Sequence, residues 1–330
     1  MLSVAILGAG TWGIALARML SLCGKQVTVW SAFESEIQNL SLTRKHPKLE
    51  KMCIPENICF TGNIEQACGG KDVIVFAVPS PFVRTTAAKA APFVKKEQII
   101  VDVAKGIEAN TLMTLTEVIH DEIKTEVKIA ALSGPTHAEE VAIDLPTTIV
   151  SACEDIQTAE FVQKVFTSPF MRVYTNSDKK GVEICGALKN IIALAAGISK
   201  GLGYGDNAKA AIITRGIAEI SRLGIAMGCN RQTFSGLAGL GDLVVTCTSE
   251  HSRNHQAGVL LGQGYSAQQA VEKVGMVVEG INTLPAALQL SKLYSVELPI
   301  VYSVNEIVNH GLEPRLAVNA LMDRKLKKEH

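Results

Sequence analysis

The strongest constraint on this chain lies in its first twenty residues. Ser3-Val4-Ala5-Ile6-Leu7 is a short apolar run, Gly8-Ala9-Gly10-Thr11-Trp12-Gly13 follows without a spacer, and Ile14 to Leu20 continues with apolar residues at helical spacing. Strand, glycine loop and helix in direct succession form the opening of a βαβ dinucleotide-binding unit. Gly8 permits the tight turn, Gly10 lets the backbone approach a pyrophosphate, and Gly13 lets the helix pack on the strand. The helix N-terminus then offers N–H groups that have no partner within the helix to an anion.

The first half of the chain keeps this rhythm. Strands are expected at 27–30, 73–78, 99–103 and 128–132, with later strands at 147–150 and 171–174 toward the sheet edge. Near-continuous apolar strands separated by helices imply a mostly parallel sheet covered on both faces. After Asp178 strand-like runs become rare, and helical spacing dominates at 183–199, 206–224, 256–262, 266–273, 282–294, 299–309 and 314–326. Gly201 to Gly205 and Gly236 to Gly241 read as glycine-rich loops. The expected architecture is therefore an α/β Rossmann-type domain over 1–178 and an all-α domain over 179–330, a division that 330 residues readily supply.

Composition narrows the partners. Lys+Arg and Asp+Glu are both 32, so no electrostatic footprint for nucleic acid is present, and Lys325-Leu326-Lys327-Lys328 reads as a solvated helix end. Eight cysteines without a CxxC pattern indicate reduced thiols in the cytoplasm. No signal peptide precedes the strand at residue 3, and the apolar run Ile191–Ile198 is too short to span a bilayer, so no stable membrane insertion is expected.

Three polar segments follow expected strands: Val78-Pro79-Ser80, Val103-Ala104-Lys105-Gly106, and Leu132-Ser133-Gly134-Pro135-Thr136-His137, which leads into a helix at Ala138. Ligands of open α/β sheets bind beyond strand C-termini. Lys105 is the most telling residue there, because a cation at such a position can hold an anionic or carbonyl substrate. Lys189 stands inside Gly186–Ala195, a segment apolar nearly all round. Two readings are open: a lysine snorkelling to the surface, or one facing the domain cleft and tuned for proton transfer. Asp242 could pair with it. Arg253 with Thr246, Ser252 and Asn254 forms a donor-rich set suited to a phosphate, the alternative being a polar loop that caps a helix. Cys247, His251 and His255 have four-residue spacing, but the intervening residues fit a phosphate loop better, and no metal is expected.

Taken together, GAGTWG at 8–13, VPS at 78–80, AKGIE at 104–108, SGPTHAEEV at 133–141, GALKN at 186–190, AGLGDLVVTCTSEHSRN at 238–254 and VVEG at 277–280 resemble the bacterial NAD(P)-dependent sn-glycerol-3-phosphate dehydrogenases over nearly the whole chain. The resemblance implies a homodimer that reversibly reduces dihydroxyacetone phosphate to glycerol 3-phosphate for phospholipid synthesis. It implies Lys189 as catalytic acid/base, Asp242 ordering it, Thr246 beside it, and Lys105 on both cofactor and substrate. It also implies Gly134, Thr136, Ser252, Arg253 and Asn254 around the substrate and its phosphate, with Thr11, Trp12, Ala138, Val277, Glu279 and Arg253 on the cofactor. A 3-hydroxy-acid dehydrogenase would need a carboxylate site instead of the phosphate set, and a non-catalytic dinucleotide sensor would have no use for Lys189 and Asp242. At the end of the second strand the chain departs from the common pattern. Ser31-Ala32-Phe33-Glu34 has no basic residue, and Glu34 falls late for the acid that usually holds the adenosine ribose, which leaves NAD or NADP open with a lean to NAD.

Overall fold

The computed structural model describes residues 1–326, 328 and 329; of the basic C-terminal cluster, Lys327 lies outside the described residues. The chain divides into two compact units, Met1–Glu183 and Ile184–His330. That boundary falls inside the first turns of a helix that begins at Lys179, next to where the sequence changes character.

The first unit is built on one sheet with strands β1 (Ser3–Leu7), β2 (Gln26–Trp30), β3 (Cys59–Thr61), β4 (Val73–Phe76), β5 (Ile99–Asp102), β6 (Lys128–Ser133), β7 (Thr147–Ala152) and β8 (Met171–Asn176), in spatial order β3-β2-β1-β4-β5-β6-β7-β8. Only the β6–β7 pair is antiparallel. Its helices are α1 (Thr11–Leu22), α2 (Glu34–Thr43), α3 (Ile64–Cys68), α4 (Val83–Ala90), α5 (Leu115–Glu122), α6 (Ala138–Val141) and α7 (Ile156–Phe166). The alternation of strand side chains divides the core between the two faces. Val4 and Ile6 join the core that includes Ile14, Leu16 and Leu20 of α1, whereas Ala5 and Leu7 join Val83 and Ala87 of α4 and Val118 and Ile119 of α5. The order reverses around β1, between β2 and β4, and this switch point places the glycine loop at the C-terminal edge of the sheet. Strand β3 was not expected; three residues carry too little pattern to register as a strand.

The second unit contains α8 (Lys179–Gly201, begun in the first unit), α9 (Asp206–Ala226), α10 (Arg231–Phe234), α11 (Asp242–Thr248), α12 (Arg253–Gly262), α13 (Ala267–Val274), α14 (Glu279–Leu293), α15 (Pro299–His310) and α16 (Pro314–Met322). The last helix stops four residues short of its expected end. The segment expected as a loop from Gly236 to Gly241 is instead a π-helical turn, Leu237–Gly241, that runs directly into α11. Helix α8 corrects another expectation: at 23 residues it is long and apolar enough to cross a bilayer, yet 94% of its most apolar window is buried within the protein. Core packing therefore accounts for its apolarity.

Two glycine pairs fix how α8 crosses α12. A Cβ added at Gly197 would lie 2.1 Å from the His255 carbonyl oxygen, and one at Gly258 would lie 2.2 Å from the Leu194 carbonyl oxygen. Gly201 and Gly262 make equally close approaches one turn further along. Backbone meets backbone at this crossing, which only glycine allows.

Candidate active site

In the first unit Gly8 and Gly13 make the close backbone approaches that the sequence calls for. Gly8 has φ +129, and a Cβ there would lie 2.7 Å from the backbone of Ala77. A Cβ at Gly13 would lie 2.1 Å from the Gly8 carbonyl oxygen, so helix and loop are in direct contact. A Cβ at Gly10, by contrast, would meet no protein atom within 4 Å. Gly10 is also the N-cap of α1 and has no side chain to satisfy the first-turn N–H groups of Thr11, Trp12 and Gly13. Open space at Gly10 beside a helix N-terminus fits a dinucleotide pyrophosphate.

The strand-end residues converge within this unit. Lys105 follows β5 and donates from Nζ to the Gly134 carbonyl oxygen at 3.1 Å, and Thr136 Oγ1 donates to the same oxygen at 3.1 Å. Ala138 opens α6 immediately beyond. At the end of β2, Ser31 donates its hydroxyl to the Glu36 carboxylate and accepts from the Phe33 N–H. The acid that reaches this strand end is thus Glu36, one turn into α2, which sequence reasoning did not single out. Glu34 is exposed at the start of the helix. Arg44, at the far end of the same helix, spends its guanidinium on the Ile58 carbonyl, Glu56 and the face of Phe60.

In the second unit Lys189 does not reach solvent. Its Nζ donates to Asp242 Oδ1 at 2.6 Å and to Thr246 Oγ1 at 2.6 Å, with side-chain exposures of 7% for Lys189 and 1% for Asp242. Thr246 in turn donates to the Asp242 carbonyl oxygen at 2.6 Å, which fixes its hydroxyl as an acceptor toward the lysine. Asp242 and Thr246 stand one turn apart on α11 and present both oxygens to one ammonium. The π turn ahead of α11 is packed so closely that a Cβ at Gly239 would lie 2.2 Å from the Phe234 carbonyl oxygen. Burial pushes the neighbouring Cys247 thiol up to about 12, so it packs beside the pair as a neutral thiol.

The donor-rich segment caps a helix, one of the two readings left open by the sequence. Ser252 caps α12, accepting from the His255 N–H at 3.2 Å, while Arg253 and Asn254 form the first turn of that helix. Asn254 is largely committed within the protein: Nδ2 donates to Asn190 Oδ1 at 3.0 Å and Oδ1 accepts from the Gly280 N–H at 2.8 Å. Asn190 Nδ2 also lies 3.5 Å from Glu279 Oε2, so Asn190 links α8, α12 and the start of α14, where Glu279 stands. Val277 precedes that helix in the connecting loop. Sequence reasoning gave Asn190 no role; an amide next to the lysine in an otherwise apolar helix was the available signal.

A reversed-order parallel sheet with a phosphate-ready glycine loop, together with a buried, carboxylate-held lysine in a helical unit, defines a two-domain dinucleotide-binding enzyme. Models of the NAD-dependent glycerol-3-phosphate dehydrogenase N-terminus and C-terminus match residues 3–159 and 178–319. A relative from Lactobacillus delbrueckii subsp. bulgaricus, named glycerol-3-phosphate dehydrogenase [NAD(P)+] 2, is 60% identical, covering 100% of this chain and 99% of its own. The Bacillus subtilis glycerol-3-phosphate dehydrogenase [NAD(P)+] is 48% identical over 98% of this chain and 95% of its own. The crystal structure of glycerol-3-phosphate dehydrogenase from Coxiella burnetii superposes with a TM-score of 0.94 at 35% identity, covering 98% of this chain and 99% of that one. The chain belongs to the NAD-dependent glycerol-3-phosphate dehydrogenase family.

Proposed function

We propose that this enzyme catalyses the reversible, nicotinamide-dependent reduction of dihydroxyacetone phosphate to sn-glycerol 3-phosphate, the backbone precursor of phospholipids. The observation that carries the reading is the buried Lys189 ammonium held by Asp242 and Thr246 in a chain of this family. A nicotinamide cofactor held at Gly8 to Gly13 would supply the hydride to the carbonyl carbon in reduction and take it from the carbinol carbon in oxidation. The chain's own residues do the rest. Lys189 polarises the carbonyl and delivers a proton to its oxygen as negative charge develops there. In the oxidative direction its amine takes that proton back. Asp242 and Thr246 hold Nζ in place, which reduces the positional freedom lost on reaching the transition state. Arg253, at the N-terminus of α12 with Ser252 and Asn254, anchors the phosphate. Lys105, with Gly134 and Thr136, contacts substrate and cofactor, and Gly8 to Gly13 hold the pyrophosphate.

We also propose NADH as the preferred cofactor. Glu36 places a carboxylate at the end of β2, where it suits a ribose diol and repels a 2′-phosphate. Trp12 and Ala138 in the first unit and Val277 and Glu279 in the second complete the cofactor assignment. The working form is a cytoplasmic homodimer, checked by light scattering coupled to gel filtration.

The test follows the loss of reduced-nicotinamide absorbance with dihydroxyacetone phosphate, using NADH and NADPH in parallel and unphosphorylated dihydroxyacetone as control. Oxidation dependent on the phosphate ester is the expected result. Oxidation driven by a 3-hydroxy acid's keto form instead, or none in protein that binds a dinucleotide, would overturn the reading.

A further inference from the structure

The segment between β5 and α5 carries Lys105 and folds back on itself. The Glu108 N–H donates to the Met113 carbonyl at 3.0 Å, the Leu112 N–H donates to the Glu108 carbonyl at 2.9 Å, and Ile107 bridges Thr114. Gly106 sits against Ser80, where a Cβ would lie 2.6 Å from the serine Cβ. A side chain of α4 ties this loop to the neighbouring helices. Arg84, in the first turn of α4, grips Glu108 with two prongs, Nε to Oε1 at 2.8 Å and Nη2 to Oε2 at 2.7 Å. Its remaining nitrogen, Nη1, donates to Asp121 Oδ2 at 2.7 Å and to Glu122, both at the end of α5. Thr111 braces the same carboxylate at 2.6 Å.

We propose that Arg84 is a positioning residue for Lys105, holding through Glu108 the loop that presents the lysine ammonium to the Gly134 carbonyl. The proposal rests on the assignment of Lys105 to the substrate. Three features favour positioning over general stability. Glu108 is only three residues from Lys105, on a loop closed by backbone bonds between 108 and 113 and by its own Thr111. A planar fork meeting a carboxylate with two parallel bonds fixes orientation as well as distance, which a lysine could not do. Arg84 is also the cation shared by three carboxylates, so its loss leaves Glu108 and Glu122 facing each other without it, while Asp121 keeps Lys124 at 3.4 Å.

The experiment measures kcat and KM for dihydroxyacetone phosphate in the full-length enzyme with Arg84→Gln, Lys105→Met and the double variant, with thermal melting on each. Arg84→Gln is expected to lower kcat/KM about tenfold, mainly through KM. In the Lys105→Met background the same change should cost less than about twofold, because the group it positions is gone. A role confined to stability would lower Tm, leave KM unchanged and act equally in both backgrounds. Should Arg84→Gln not fold, Arg84→Lys keeps the charge without the two-pronged grip and should lose about threefold in kcat/KM. Wild-type kcat/KM in the folded Arg84 variant beside an impaired Lys105→Met overturns the proposal, as does an equal loss in both backgrounds. An unimpaired Lys105→Met overturns the assignment of Lys105 itself, and the positioning role with it.

Discussion

Lys189 Nζ and Asp242 Oδ1 lie 2.6 Å apart in a pair almost wholly removed from solvent. A buried charge pair tolerates the loss of neither member, because the survivor is left uncompensated at a cost of about 3–5 kcal/mol. Lys189→Ala should therefore keep NADH affinity, lose roughly a thousandfold in turnover, and melt at a lower temperature. Cofactor titration by fluorescence and steady-state kinetics check this together; near-normal turnover would remove Lys189 from the proton-transfer role.

The phosphate assignment rests on Arg253. Arg253→Ala should raise KM for dihydroxyacetone phosphate by about ten- to a hundredfold, the scale of one charge-assisted hydrogen bond. The residual activity should no longer discriminate sharply against unphosphorylated dihydroxyacetone. An unchanged KM places the phosphate elsewhere.

Glu36 sets the cofactor prediction. Wild-type enzyme should use NADH with a higher kcat/KM than NADPH. Glu36→Gln, which keeps an acceptor for Ser31 but removes the charge, should narrow that ratio about tenfold. A ratio that does not move would exclude Glu36 as the discriminating charge.

A pH effect on stability is expected from the second unit. Glu219 of α9 is buried and accepts from the Ile300 and Val301 N–H groups at the start of α15. Burial pushes its carboxyl up to about 7, against the opposing pull of those N–H groups and of Arg222 and Arg324. A raised folded-state value favours the folded protein at low pH, fully below the ordinary carboxylate range, and this contribution is lost as pH rises through about 7. It amounts to at most about 3 kcal/mol. The wild-type Tm should thus fall relative to that of Glu219→Gln between acidic and mildly alkaline pH; parallel curves would refute this.

What the sequence showed and what it hid follow from the range of each signal. Strand β1, the glycine loop and α1 were legible because a period of two, three glycines and a period near 3.6 follow one another locally. Lys189 was legible as an anomaly in an apolar helix. The π turn before α11 was not, since a short stretch with glycine at three of six positions carries no period to distinguish it from a loop. Glu36 was missed because its side chain reaches back from one turn into α2 to the end of β2. The link through Asn190 needed the spatial meeting of three helices distant in sequence.

The crossing of α8 and α12 through Gly197, Gly201, Gly258 and Gly262 leaves no side-chain layer between the two backbones. Most helix pairs can retune their spacing by exchanging a leucine for a valine; this pair has nothing left to trim and no room to grow. The separation of α8 and α12 at this crossing is therefore set by main-chain thickness. A lineage under pressure to accept a longer or shorter substrate could not do so by adjusting this gap. It would have to rewrite the reaching side chains themselves; on the roles proposed for Lys189 and Arg253, the crossing would serve as a molecular ruler between proton donor and phosphate anchor.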